Sequence, residues 1–240
     1  MEQKKNLTIS GSGSAPGGSY EDVKINGSGK IHGDIICHSI AINGSGRLSG
    51  DAKATNIMIS GSAVLEKNLI SEAFTVNGAC KVEGNVTGER IHISGRARIL
   101  GAVHGEQIRI SGILTVEGDL EGEDLIAEGP LTVGGLCSAD RIEITLAGMI
   151  SRIKEIGCGT LTVHRRFAPN FFGQLLPSFA RKKLVVDSIE GDEIFLEDTE
   201  AKVVRGNRVT IGAGCTIGQV TYKTDYQKDD KAVVQSVIKG

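Results

Sequence analysis

From Val23 to Ile150 apolar and polar residues alternate in short runs, and the runs return every 17 residues. The marker of the repeat is a glycine, at positions 27, 44, 61, 78, 95, 112 and 129. Four residues before it stand Val23, Ile40, Ile57, Phe74, Ile91, Ile108 and Leu125; two before it stand Ile25, Ile42, Ile59, Val76, Ile93, Ile110 and Ala127. Four residues after it the column reads Ile31, Leu48, Leu65, Val82, Ile99, Val116 and Val133. A spacing of two puts such side chains on one face of a strand. Asn or Ser precedes the marker glycine in most repeats, which is corner chemistry if that glycine takes positive φ. A second glycine column (Gly33, Gly50, Gly84, Gly101, Gly118, Gly135) and a column of small residues (Cys37, Ala54, Ser71, Gly88, Gly105, Gly122, Ala139) mark two further corners. Three short strands and three corners predict an all-β fold, a parallel β-helix of triangular cross-section with about 17 residues per turn. Helical solenoids are excluded, because each interior glycine costs a helix about 1 kcal/mol relative to alanine. A left-handed hexapeptide coil favours multiples of six, so a uniform 17 favours the right-handed form.

The register weakens where Leu146 replaces the marker glycine and Arg152 the second one. The organisation read from the chain is a flexible Gly/Ser linker over 1–19, a regular β-helix over 20–164, an interruption over 165–183, less regular turns over 184–224 and a tail over 225–240.

Composition sharpens this picture. The chain of 240 residues holds 33 Gly but only 4 Pro, no Trp and 4% aromatic residues, which excludes collagen and predicts an aliphatic core. The net charge of −2 gives no global attraction to nucleic acid, and no nucleic-acid partner is expected. The N-terminus has no apolar signal region and no run approaches the roughly 18 apolar residues of a membrane span, so a cytoplasmic location is expected. Five widely spaced cysteines without a CxxC read as buried reduced thiols. His32, His38, His92 and His104 fall at different places in the repeat, so they stack into neither a zinc site nor a catalytic cluster. No phosphate-binding loop occurs: Gly29-Lys30 is followed by Ile31. The expectation is a protein with no catalytic residue, metal or cofactor, and no use for nucleotide. Asp34, Asp51 and Asp119 share a column with Asn68, Asn85 and Ala102 in the intervening turns and read as corner hydrogen bonding, while Glu72, Glu89, Glu106, Glu123 and Asp140 stack like charges along one edge.

Between His164 and Lys183 the chain places Arg165, Arg166, Arg181 and Lys182 around Phe167, Phe171, Phe172 and Phe179. Basic flanks around apolar rings suit an interfacial segment, so these residues are candidates for a peripheral contact with the inner face of the cell membrane or with a partner.

The repeated forms VKINGSGKIHGDI, IAINGSGRLSGDA, FTVNGACKVEGNV and IRISGILTVEGDL resemble the bactofilins, bacterial polymer-forming cytoskeletal proteins. The later segment SIEGDEIFLEDTEAKVVRGNRVTIG is similar to the longer, two-part members of Gram-positive bacteria. The resemblance implies a right-handed β-helix that assembles end to end into filaments without nucleotide and scaffolds cell shape or motility, with itself or a paralogous bactofilin as partner. Physics points the same way, since the unpaired backbone at the end of a coil is a template for another coil. The residues expected at the mating ends are Val23, Ile25 and Ile31 on one side and Val209, Ile211 and Ile217 on the other. Two other readings stay open. Val209 to Gly218 is also similar to hexapeptide acyltransferase repeats, which would make the protein a trimeric enzyme, and a capped coil would be a non-polymerising adaptor.

Overall fold

The computed structural model describes residues 5–165 and 183–240, and every regular element among them is a β-strand. The strands pair in parallel as a β-solenoid, with about 13 turns of about 17 residues carried by two compact units, Met1–Gly122 and Glu123–Gly240.

In the first unit each turn from Ser45 to Ile110 holds a strand of four residues, such as Ser45–Leu48, and one of eight, such as Ala52–Ile59; in the two turns before them the pieces run on as Ser12–Ile25 and Ser28–Ile42. The four-residue strand alternates strictly, exposed then buried. The eight-residue strand alternates at its two ends but places Thr55 and Asn56 both outside, so it bends there and presents a second and a third inward face. The three expected strands are therefore present, two of them joined through a bend. Successive turns pair in strict register: Arg96 to Ile99 faces Ala79 to Val82 on one side and Ile113 to Val116 on the other. Each inward column becomes a stack of like aliphatic side chains, and Ile42, Ile59, Val76 and Ile93 are fully buried. Burying an Ile or Leu in this way stabilises by roughly 1.5–3 kcal/mol, so the dry interior carries the fold.

The marker glycines serve a different purpose from the one their Asn-Gly sequence suggests. None of them has positive φ. A Cβ added at Gly95 would instead overlap the carbonyl oxygen of Gly78 beneath and lie 2.5 Å from that of Asn77; Gly44, Gly61, Gly78 and Gly112 meet the same obstacle. The corner is tight because backbone stacks on backbone, with Gly95 N donating to Val76 O at 2.9 Å and Arg96 N to Gly78 O at 2.8 Å. Only Gly33 in the second column needs its conformational freedom, at φ 94°. The Asp/Asn positions beside that column form a ladder between turns. Asp51 N donates to Asp34 Oδ1, Asn68 N to Asp51 Oδ1, Asn85 N to Asn68 Oδ1 and Ala102 N to Asn85 Oδ1, each at 2.9 Å. Their hydrogen bonding thus joins turns, where the sequence suggests bonding within one.

In the second unit the period changes. Ile142 faces Leu161, 19 residues on, where the missing marker glycine is replaced by a longer corner containing Gly148 at φ 75°. Ile194 faces Val209, 15 residues on, and Ile217 faces Val234, 17 on. None of the five cysteines is in a disulfide. Burial pushes the Cys80 and Cys137 thiols up to about 12, which keeps them protonated and inert at neutral pH.

Both ends differ from the sequence expectation. Lys5–Ile9 and Ser12–Ile25 are strands, so the proposed linker over 1–19 gives way, from Lys5 onward, to paired coil. Leu7 faces Val23 and Ile9 faces Ile25. The expected tail over 225–240 likewise holds the end of the strand Thr216–Lys228 and the strand Val233–Lys239, the latter placing Val234 on Ile217 and Val237 on Val220.

Candidate functional site

The residues expected to form the mating ends are core residues. Val23, Ile25, Ile31, Val209, Ile211 and Ile217 are each at most 1% exposed. Each is covered by one further coil. Leu7, Ile9 and Ala15 face Val23, Ile25 and Ile31 on one side. Tyr226, Lys228 and Val234 face Val209, Ile211 and Ile217 on the other. The ends of the described coil therefore lie one turn further out, at the strands Lys5–Ile9 and Val233–Lys239 and the segments beside them.

At the first of these ends the interior columns run out as small or aliphatic residues. Ile9 and Ala15 are each 9% exposed, and Leu7 is half-buried. The strand Lys5–Ile9 pairs on one side, with Ser12–Ile25; its outer N–H and C=O groups meet no strand among the described residues. The corner that follows, Ser10-Gly11-Ser12-Gly13, is made only of small residues. A Cβ at Gly11 would meet nothing within 4 Å, in contrast to its column mates, because no described coil lies beneath it.

The second end is chemically mixed. Val220 is fully buried, whereas Val237, next in the same column, is 44% exposed because no further strand among the described residues covers it. Val233 and Ile238 beside it are exposed as well. On the remaining face the columns end in polar groups. Tyr226 stacks on Tyr222 with ring centroids 5.4 Å apart, and burial followed by its tyrosine neighbour pushes its hydroxyl above the usual range. Lys228 Nζ folds back to donate to the carbonyls of Asp229 and Ala232, both at 3.2 Å.

The membrane candidates Arg166, Phe167, Phe171, Phe172, Phe179, Arg181 and Lys182 lie outside the described residues. Arg165 is described, and its guanidinium is held by Asp198, with Nη2 to Oδ1 at 2.6 Å, while its backbone N donates to Glu197. That ion pair raises the arginine further and occupies the charge that a lipid headgroup would need. No helix among the described residues is long and apolar enough to cross a membrane. No three His, Cys, Asp or Glu side chains among them converge to hold a metal ion.

A signal for the true first coil was present in the sequence. Leu7-Thr8-Ile9-Ser10-Gly11-Ser12-Gly13 repeats Val23-Lys24-Ile25-Asn26-Gly27-Ser28-Gly29 with a step of 16 rather than 17, and a strict period conceals it. At the other end Val234 and Val237 continue two columns after a polar corner.

Neither a family profile nor a solved structure matches the chain. It is 40% identical over 105 residues to YhbF of Bacillus subtilis (strain 168), covering 44% of this chain and 42% of YhbF, so the match spans less than half of that relative. It is 56% identical over 239 residues to YhbE of the same organism, an uncharacterized protein, and the match covers all of both chains. An identity of that size over the full length places it: the chain belongs to the YhbE family.

Proposed function

We propose that this protein is a non-catalytic scaffold that associates with itself end to end, as the bactofilins do, and needs no nucleotide to do so. The observation that carries the reading is the contrast between Val220 and Val237, one column with one residue sealed and the next open to water. A parallel coil ending on an apolar column and an unpaired strand edge gains both hydrophobic contact and backbone hydrogen bonds from a further coil. The other end offers Leu7, Ile9 and Ala15 beside another unpaired edge. On this reading the cell uses the protein as a cytoplasmic cytoskeletal element for shape or motility, alone or mixed with a paralogue.

The reading of a non-polymerising adaptor draws on Tyr226 and Lys228, which end two interior columns with polar groups. Sedimentation separates the two. Purified protein taken through a concentration series is expected to pellet above a threshold, equally with ATP, with GTP and with neither. Pelleting that requires a nucleotide would overturn the proposed mechanism, and a protein that stays in the supernatant throughout would favour the adaptor.

A further inference from the structure

On one side of the first unit two rows of outward side chains run across the strands, one on each flank of the small-residue column, and enclose a groove of about 440 Å³. Rows two residues apart on a strand stand about 7 Å apart, and successive turns repeat about every 4.8 Å along them. One row carries Ile36 and Ile70, 50% and 47% exposed, with Lys53 between them. The other carries Glu72, Glu89 and Glu106, all exposed. Glu89 has Arg90 Nη1 3.5 Å from its carboxylate; Glu72 and Glu106 have no ion pair among the described residues. Between the rows the floor is backbone and small side chains, and Ser71 there turns its hydroxyl into the buried interior, away from the groove.

Neither row is explained by the fold. Exposed Ile36 and Ile70 forgo burial, and a column of like charges a few ångströms apart repels itself. A single occupant resolves both: a chain that covers the isoleucines and brings cations to the carboxylates. We infer that this groove binds an extended peptide segment in which Lys or Arg alternates with aliphatic residues, laid across the strands with its aliphatic side chains on Ile36 and Ile70 and its cations on Glu72 and Glu106. Between the rows the lining is backbone and the small residues Cys37, Ala54, Ser71 and Gly88, which leaves a peptide backbone no large side chain to displace. The inference is independent of the end contact, because the groove lies on the side of the coil.

The test uses a fluorescent synthetic peptide of four Leu-Lys repeats and the full-length protein, with anisotropy as the readout. Saturable binding is expected. Neutralising Glu72→Gln and Glu106→Gln together is expected to weaken it on the order of ten-fold, and Ile36→Ser with Ile70→Ser to weaken it similarly, whereas Glu21→Gln, an exposed acid outside the groove, leaves it unchanged. A Gly-Lys peptide of equal charge is expected to bind about ten-fold more weakly than the Leu-Lys peptide. All of these side chains are exposed, and circular dichroism confirms that each variant is folded. Absence of saturable binding, equal loss with Glu21→Gln, or equal affinity for the Gly-Lys peptide would each overturn the inference.

Discussion

Replacing Ile93 by aspartate is expected to unfold the first unit. Ile93 is fully buried, with Val76 in the turn on one side and Ile110 in the turn on the other. A carboxylate there would lose its hydration in a column with no donor to replace it. The cost is on the order of 5 kcal/mol or more, against a typical domain stability of about 5–15 kcal/mol. The substitution has a pH signature. Burial would raise the aspartate above its unfolded value of about 3.9, so the destabilisation is complete at neutral pH and shrinks as pH falls through the raised value. Ile93→Val, which keeps the column apolar, should cost about 1 kcal/mol. Circular dichroism and thermal melting of the three proteins at pH 7 and near pH 4 check this, and an aspartate variant that melts like wild type would place Ile93 outside the interior.

Gly95→Ala is the second large effect, and it separates two explanations of the glycine ladder. If the marker glycines were present for conformational freedom, alanine would strain one residue by about 1 kcal/mol. The added methyl group instead meets the Gly78 carbonyl oxygen and the Asn77 backbone of the turn beneath, and neither belongs to a flexible side chain. Turns held in register by hydrogen bonds such as Arg96 N to Gly78 O at 2.8 Å would have to separate locally. A loss of about 3 kcal/mol is expected, at the upper end of overpacking costs. Gly11→Ala, in the same column with no described coil beneath it, should be close to neutral. Denaturant melts of the two variants decide the point. Equal stabilities would show that contact between turns is not what selects glycine.

The sequence made the repeat legible because an invariant step of 17 leaves little choice of register: the columns of Ile25 and Ile31 are the interior columns of the structure. What it concealed follows from the same regularity. A strict step hides the first coil, which is one residue short between Gly11 and Gly27, and so Leu7 and Ile9 read as linker. A run as small as Ser10-Gly11-Ser12-Gly13 has the composition of a flexible linker, yet once stacked its lack of side chains is what lets turns approach closely. Val233 to Lys239 was hidden for a different reason. Its apolar residues Val233, Val234, Val237 and Ile238 do not alternate with polar ones, and only pairing with Thr216 to Tyr222 shows which of them continue the interior columns. As a consequence, the ends of the described coil lie one turn further out than the sequence suggested. Of the groove's two rows only the Glu72 row stood out in the sequence, as a column of like charges; the exposed Ile36 row, and the space between the two, required the structure.

The account rests on coil ends that accept a further coil, and Gly11 addresses it most directly. A side chain at this position points toward the place of the turn beneath, as the obstructed glycines above it show, yet meets nothing within 4 Å among the described residues. Gly11→Val should therefore leave the monomer folded while blocking any coil from seating on that end. Electron microscopy of wild type and Gly11→Val, with circular dichroism on both, is the measurement. The account predicts filaments for wild type, and for the variant a folded protein that forms no filaments, limited to pairs joined through their Val237 ends. Filaments of Gly11→Val indistinguishable from wild type would contradict it.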